Sequence, residues 1–144
     1  MRLIVIFLFA IILNGCVTPP GAMIKESNIS LSETRKAVVK LFGEPRGMSQ
    51  NGRELYTDYM DQKGRVLPNM KKAKERRFAH VTILGERRPY DIVLDVIIET
   101  QVRPDKYQAV DHDELLADVL AKDLRKELLK SRENRNMFDD FNAF

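Results

Sequence analysis

The sequence predicts an α+β fold in which a small three-stranded, mainly antiparallel sheet is packed by an N-terminal helix and a long C-terminal helix. Three observations lead there. Apolar residues recur at helical spacing in two stretches, Ser30 to about Phe42 and Asp111 to about Glu133. Between them the period falls to two, in three runs bounded by turn residues. The last two runs are joined by a short connection, which favours antiparallel pairing.

Each element has its own signals. Ser30 and Glu33 stand at capping-box spacing, so a hydroxyl and a carboxylate can satisfy the first N–H groups of a helix. The apolar face of that helix is Val38, Leu41 and Phe42, with Leu31 and Thr34 earlier, while Arg35, Lys36 and Lys40 stay in water. Gly43 is the natural residue after its end and Pro45 blocks continuation. In the first strand, Gln50 to Met60, the Asn51-Gly52 turn is followed by Leu55, Thr57 and Tyr59 alternating with Tyr56, Asp58 and Met60. The second, Arg77 to Leu84, places Phe78, His80, Thr82 and Leu84 opposite Ala79, Val81 and Ile83, and neither face is polar enough to decide which is inside. Gly85 to Pro89 breaks the run. The third, Tyr90 to Val102, alternates most clearly, so its even positions are expected to face the core until Pro104 ends it. The last helix carries a stripe of Leu115 or Leu116, Val119, Leu120, Leu124 and Leu128, with Asp111 and Glu114 able to cap its start. Its outer face mixes acids and bases, as a solvated face does.

The N-terminus has a different character. Met1-Arg2 is followed by an apolar run, Leu3 to Leu13, and then Asn14-Gly15-Cys16, which holds the only cysteine. A helix of about eleven residues is roughly 16 Å long, about half a bilayer core, and fits a cleaved segment better than a span. The arrangement resembles a bacterial lipoprotein signal peptide whose lipobox is Leu13-Asn14-Gly15-Cys16. Asn14 stands where that family usually has a small apolar residue. The resemblance implies removal of residues 1–15, lipid (palmitate among the acyl chains) on Cys16, and a lipidated tether over 16–28, where Thr18-Pro19-Pro20-Gly21 favours an extended chain. Val17 in place of Asp after the cysteine implies sorting to the outer membrane, facing the periplasm. Residues 29–144 are then one periplasmic domain with an aromatic C-terminal tail. A lipidated Cys16 leaves no thiol for a disulfide.

A second resemblance covers about thirty residues. Val38 to Pro45, with its Gly43-Glu44-Pro45, and the tyrosine-bearing run Gly52 to Tyr59 look like the helix, Gly-x-Pro and aromatic strand of the SmpA/OmlA lipoproteins. That family serves the outer-membrane β-barrel assembly machine. Helix termination chemistry accounts for most of the same pattern, and the long last helix departs from the family's plan.

Two surface segments are candidates for binding. Lys63, Arg65, Lys71, Lys72, Lys74, Arg76 and Arg77 are relieved only by Glu75, in a chain whose formal net charge is just +3. They would attract anionic groups such as lipopolysaccharide phosphates or peptidoglycan carboxylates, or else form a solvated loop. No aromatic residues interleave them for base stacking, so nucleic acid is not expected. The tail carries Phe138, Phe141 and Phe144 at spacing three, beside Asp139 and Asp140; such aromatics dock either on their own domain or in a partner's groove.

Catalysis has little to stand on. His80 and His112 are the only two histidines. Asp111-His112-Asp113-Glu114 looks like a metal cluster only superficially, because adjacent residues point in different directions and capping explains the acids. His80 beside Asp95 or Glu99 across a hairpin is a possible pair. No nucleophile motif, phosphate loop or zincin spacing is present. The expectation is an outer-membrane lipoprotein with no catalytic residues, no metal and no cofactor beyond its lipid. It would act by protein–protein interaction, as an accessory or scaffold subunit of an envelope assembly, secretion or transport complex, or alternatively by binding anionic envelope polymers through the basic loop.

Overall fold

The computed structural model describes residues 20–141, and the side chains of residues 20–133. The expected signal peptide, Cys16 and Phe144 lie outside the described residues, as do the side chains of Phe138 and Phe141. The elements in order are β1 Ala22–Ser27, α1 Leu31–Phe42, β2 Gly47–Met48, β3 Glu54–Tyr56, β4 Glu75–Leu84, β5 Tyr90–Arg103, β6 Lys106–His112 and α2 Glu114–Phe141.

The sheet has six strands, which corrects the expected three; the mixture of sheet and helices is α+β. Its spine is β5. On one side β5 pairs with β4 along nearly its whole length, from Leu84↔Asp91 to Glu75↔Thr100. On the other side it is shared, with β1 on its first half and β6 on its second. The short β3 continues the sheet beyond β4, and β2 beyond β3, all antiparallel.

Two of the extra strands fall where the sequence predicts other elements, for identifiable reasons. Ala22–Ser27 lies in the stretch expected to be tether. Its register slips between Ile24 and Ser27, so two exposed residues separate two buried ones and the period-two signal is lost. Lys106–His112 shows no alternation because it is an exposed edge strand that packs little on either face. Pro104 ends β5, as expected, but not the sheet. It begins a tight reversal in which Asp105 takes a φ of +59°, and Arg103 pairs with Lys106 across it. The last helix accordingly starts at Glu114 instead of Asp111, with Asp113 as its cap: Leu116 N–H donates to Asp113 Oδ1 at 3.0 Å.

Both helices lie on one face of the sheet. The core there is Ala79, Val81 and Ile83 of β4, Ile92, Leu94 and Val96 of β5, Ile24 and Leu55, covered by Ala37 and Val38 of α1 and by Leu116, Ala117, Ala121, Leu124 and Leu128 of α2. The even positions of β5 are buried only as far as Val96; beyond it the strand outruns the helices and Val102 is open to solvent. The expected stripe of α2 is also shifted. Leu115 is 82% exposed and Val119 53%, while Ala117 and Ala121 face inward, where small side chains allow close approach. In α1 the expected capping is present, Glu33 N–H donating to Ser30 Oγ at 3.3 Å and Gly43 N–H to Val39 O at 2.8 Å.

Candidate functional site

The face of the sheet that the helices leave uncovered is built from alternate residues of β4 and β5. Arg76, Phe78 and His80 stand opposite Glu99, Ile97 and Asp95. The Arg76 guanidinium lies between the rings of Tyr59, at 3.7 Å from the centroid, and Tyr107, at 3.5 Å, and its Nε donates to Glu99 Oε2 at 2.7 Å. Arg46 reaches over Tyr59 and Phe78 at 4.5 and 4.4 Å, with Nε donating to Thr57 O. Cation–π contact and hydrogen bonding thus engage both guanidiniums within the fold. Tyr107 Oη contacts the carbonyls of Met70 and Ala73 at 2.9 and 2.7 Å, which ties the segment before β4 to the edge strand β6. Next along the face, Tyr56 stacks on His80 at 4.5 Å and donates to Glu54 Oε2 at 3.0 Å. That hydrogen bond to a carboxylate, helped by desolvation, raises the Tyr56 phenol above its ordinary range. The whole row reads as a structural brace.

The basic segment is divided by the pleat. Arg76 belongs to the brace. Arg77, next in β4, points to the helix side and is only 8% exposed, with Nε 2.8 Å from Asp113 Oδ2 and Nη1 2.7 Å from Glu75 Oε1. Asp113 therefore caps α2 with one oxygen and neutralises Arg77 with the other. Arg65 closes a tight loop by a two-pronged bond to Asp61, at 2.9 and 2.7 Å. Asp61 also accepts the backbone N–H groups of Lys63 and Arg65, and these bonds, the backbone N–H of Arg65 first, hold its carboxyl down at about 2. Of the seven expected residues, Lys63, Lys71, Lys72 and Lys74 remain as exposed cations outside any ion pair in the described residues. Arg65, though paired, is itself exposed, while Arg76 and Arg77 are drawn into the fold.

The histidines pair differently from expectation. His80 and Asp95 stand in register, yet His80 Nε2 lies 3.3 Å from Glu54 Oε2, while Asp95 Oδ1 takes His112 Nδ1 at 2.8 Å. Among the described residues no three His, Cys, Asp or Glu side chains are grouped to hold a metal, and no helix is long and apolar enough to cross a membrane. Phe138 and Phe141 fall on the last turns of α2, whose final core residue among the described side chains is Leu128.

Sequence reasoning missed a cleft between the end of β1 and the middle of α2, bordered by Lys25, Ser27, Ile29, Arg125, Leu129 and Arg132. Its two walls are about a hundred residues apart in the chain, and no local pattern joins them. No family model, curated protein or solved structure matches this chain.

Proposed function

We propose that this protein is an outer-membrane lipoprotein, held by lipid on Cys16 and facing the periplasm, that serves as a non-catalytic accessory or scaffold subunit of an envelope complex. The observation that carries the reading is the length of α2 beyond its last core residue among the described side chains. From Leu128, its last described core residue, the helix continues to Phe141, about 20 Å further along its axis. A helix continued so far past Leu128, with Phe138 and Phe141 in its last turn and Phe144 just beyond, suits an anchor for a partner's groove. The anchor supports the same reading. Residues 17–21 are all that separate Cys16 from β1, a reach of about 20 Å at full extension, so the domain would stay close to the bilayer and at high effective concentration for neighbours there. The resemblance to SmpA/OmlA lipoproteins makes the β-barrel assembly machine the first complex to examine.

An affinity pull-down of the full-length protein from detergent-solubilised envelopes tests this. A stoichiometric outer-membrane partner that is lost when Phe138, Phe141 and Phe144 are changed to Ala supports the accessory-subunit reading; its persistence in that variant removes the arm from the account. A second reading, binding of anionic envelope polymers, rests on Lys63, Lys71, Lys72 and Lys74, which form no ion pair among the described residues. Binding of that kind collapses with added salt and on changing these lysines to Ala, while an aromatic anchor is little affected.

A further inference from the structure

The end of β1 is shaped by its bulge. Glu26 takes a φ of +56° and its N–H donates to Asp91 Oδ1 at 2.9 Å, and the register slips by the time the strand reaches Ser27. Ser27 is turned inward to 9% exposure, and its Oγ has no hydrogen-bond partner among the described residues. Thr34 Oγ1, on α1, is the other such hydroxyl among the described residues. Only Ser27 borders the cleft against α2. That cleft encloses about 120 Å³, roughly ten times what a single water needs. Ile29, Leu128 and Leu129 give it an apolar lining. Lys25, Arg125 and Arg132 surround it with three cations, and Glu26 is the one carboxylate on its wall among the described residues. None of the three cations is in an ion pair within the described residues. Arg125 and Arg132 are two helical turns apart and so share one side of α2. Arg88 adds a fourth cation nearby, its Nη1 3.5 Å from Asn28 O.

We propose that this cleft binds the phosphate of a phospholipid headgroup in the membrane that holds the anchor. A phosphate diester offers several acceptor oxygens and a negative charge. Two guanidinium forks, an ammonium and a buried hydroxyl free to donate are the groups that recognise it. The apolar lining fits the glycerol side of a lipid better than it fits an inorganic ion. Topology puts the membrane within reach, given the lipid anchor on which this inference rests. The tether enters at Ala22, opposite Leu94, and the cleft lies at Ser27, opposite Tyr90, so the two are separated by one strand of about 17 Å. That is no more than the reach of residues 17–21, and the anchor therefore permits the cleft to rest on the headgroups.

The test uses the full-length protein purified with its lipid in a non-ionic detergent. Backbone amide shifts of Ser27, Ile29 and Leu129 are followed while three probes are added separately: inorganic phosphate, a short-chain phosphatidylglycerol, and the matching diacylglycerol without phosphate. The expected result is saturation by phosphatidylglycerol at about tenfold lower concentration than by phosphate, with no response to diacylglycerol. Loss of the two charge-assisted contacts in Arg125→Gln/Arg132→Gln should weaken that binding by about tenfold or more. Ser27→Ala should weaken it severalfold without lowering the melting temperature, because no protein partner is lost. Changing Lys71 and Lys72 to Gln should leave it unaltered. Equal saturation by phosphate and phosphatidylglycerol would overturn the lipid source, and binding by neither, or binding indifferent to the arginine changes, would overturn the site. The intact mass reports the anchor separately: an unmodified Cys16 would sink the lipoprotein reading and with it the membrane source, while the phosphate titration still reports on the cleft.

Discussion

Replacing Asp113 removes two interactions at once, and the structure allows them to be separated. Its Oδ1 accepts the Leu116 N–H as the cap of α2, and its Oδ2 lies 2.8 Å from Nε of the buried Arg77. Loss of a helix cap costs about 1 kcal/mol. Breaking a buried ion pair by removing one partner costs about 3–5 kcal/mol. The lower end applies, because Glu75 still sits 2.7 Å from Arg77 Nη1 and the Asp113 side chain is itself 20% exposed. Asp113→Ala is therefore expected to destabilise by about 3–4 kcal/mol, and Asp113→Asn, which can still cap, by about 2–3 kcal/mol. With a urea m-value near 2 kcal/mol/M, the alanine variant should unfold at a midpoint lower by about 1.5–2 M. The double change Arg77→Met/Asp113→Asn should recover much of the loss, since the buried charge goes with its partner and the cap remains. Urea unfolding followed by far-UV circular dichroism measures all four proteins. Unfolding free energies of both single variants within about 0.5 kcal/mol of the parent would refute the reasoning, as would a double variant no more stable than Asp113→Asn.

Other perturbations follow from single sites. Asp61 is held at about 2 in the fold against an ordinary 3.8, so its contribution to loop order is present above the ordinary value and is lost as pH falls through about 2; Asp61→Asn should abolish this acid dependence in the amide exchange of Lys63 and Arg65. Gly21 has a φ of +110°, and a Cβ there would lie 2.7 Å from Leu94 O, a backbone atom. Gly21→Ala should consequently loosen the pairing of β1 with β5 and cost about 1–3 kcal/mol, read as faster amide exchange in Met23 and Ile24. Leu124 is fully buried beneath the sheet while Leu115, on the same helix, is almost free. Leu124→Ala should cost about 2–5 kcal/mol and Leu115→Ala within about 0.5 kcal/mol in the same unfolding assay.

Much of the fold was legible because its signals are local. Ser30 with Glu33 and Gly43 bounded α1 correctly, since a cap depends on residues within one turn of itself. The antiparallel pairing of β4 with β5 followed from two alternating runs and a short connection. β1 and β6 were not legible, the one because a bulge broke its period and the other because an edge strand packed on little has no face to pattern. The division of the basic segment was nearly legible. The strand begins at Glu75 and not at Arg77, and period two alone then sends Arg76 and Arg77 to opposite faces.

The sequence by itself determined the class of the domain, its first helix and its central hairpin, because capping and alternation are written in neighbouring residues; the lipid on Cys16 is an expectation that rests on a resemblance in the same kind of local pattern. Only the tertiary structure decided that the sheet has six strands, that Arg76 and Arg77 are used up inside the fold, and that Ser27 meets Arg125 and Arg132 at one cleft. Those outcomes depend on which distant segments share β5 and on where α2 crosses β1. Strand pairing across long loops and the packing of a helix on a sheet are settled by the burial of the whole core, and no window of neighbouring residues contains that information.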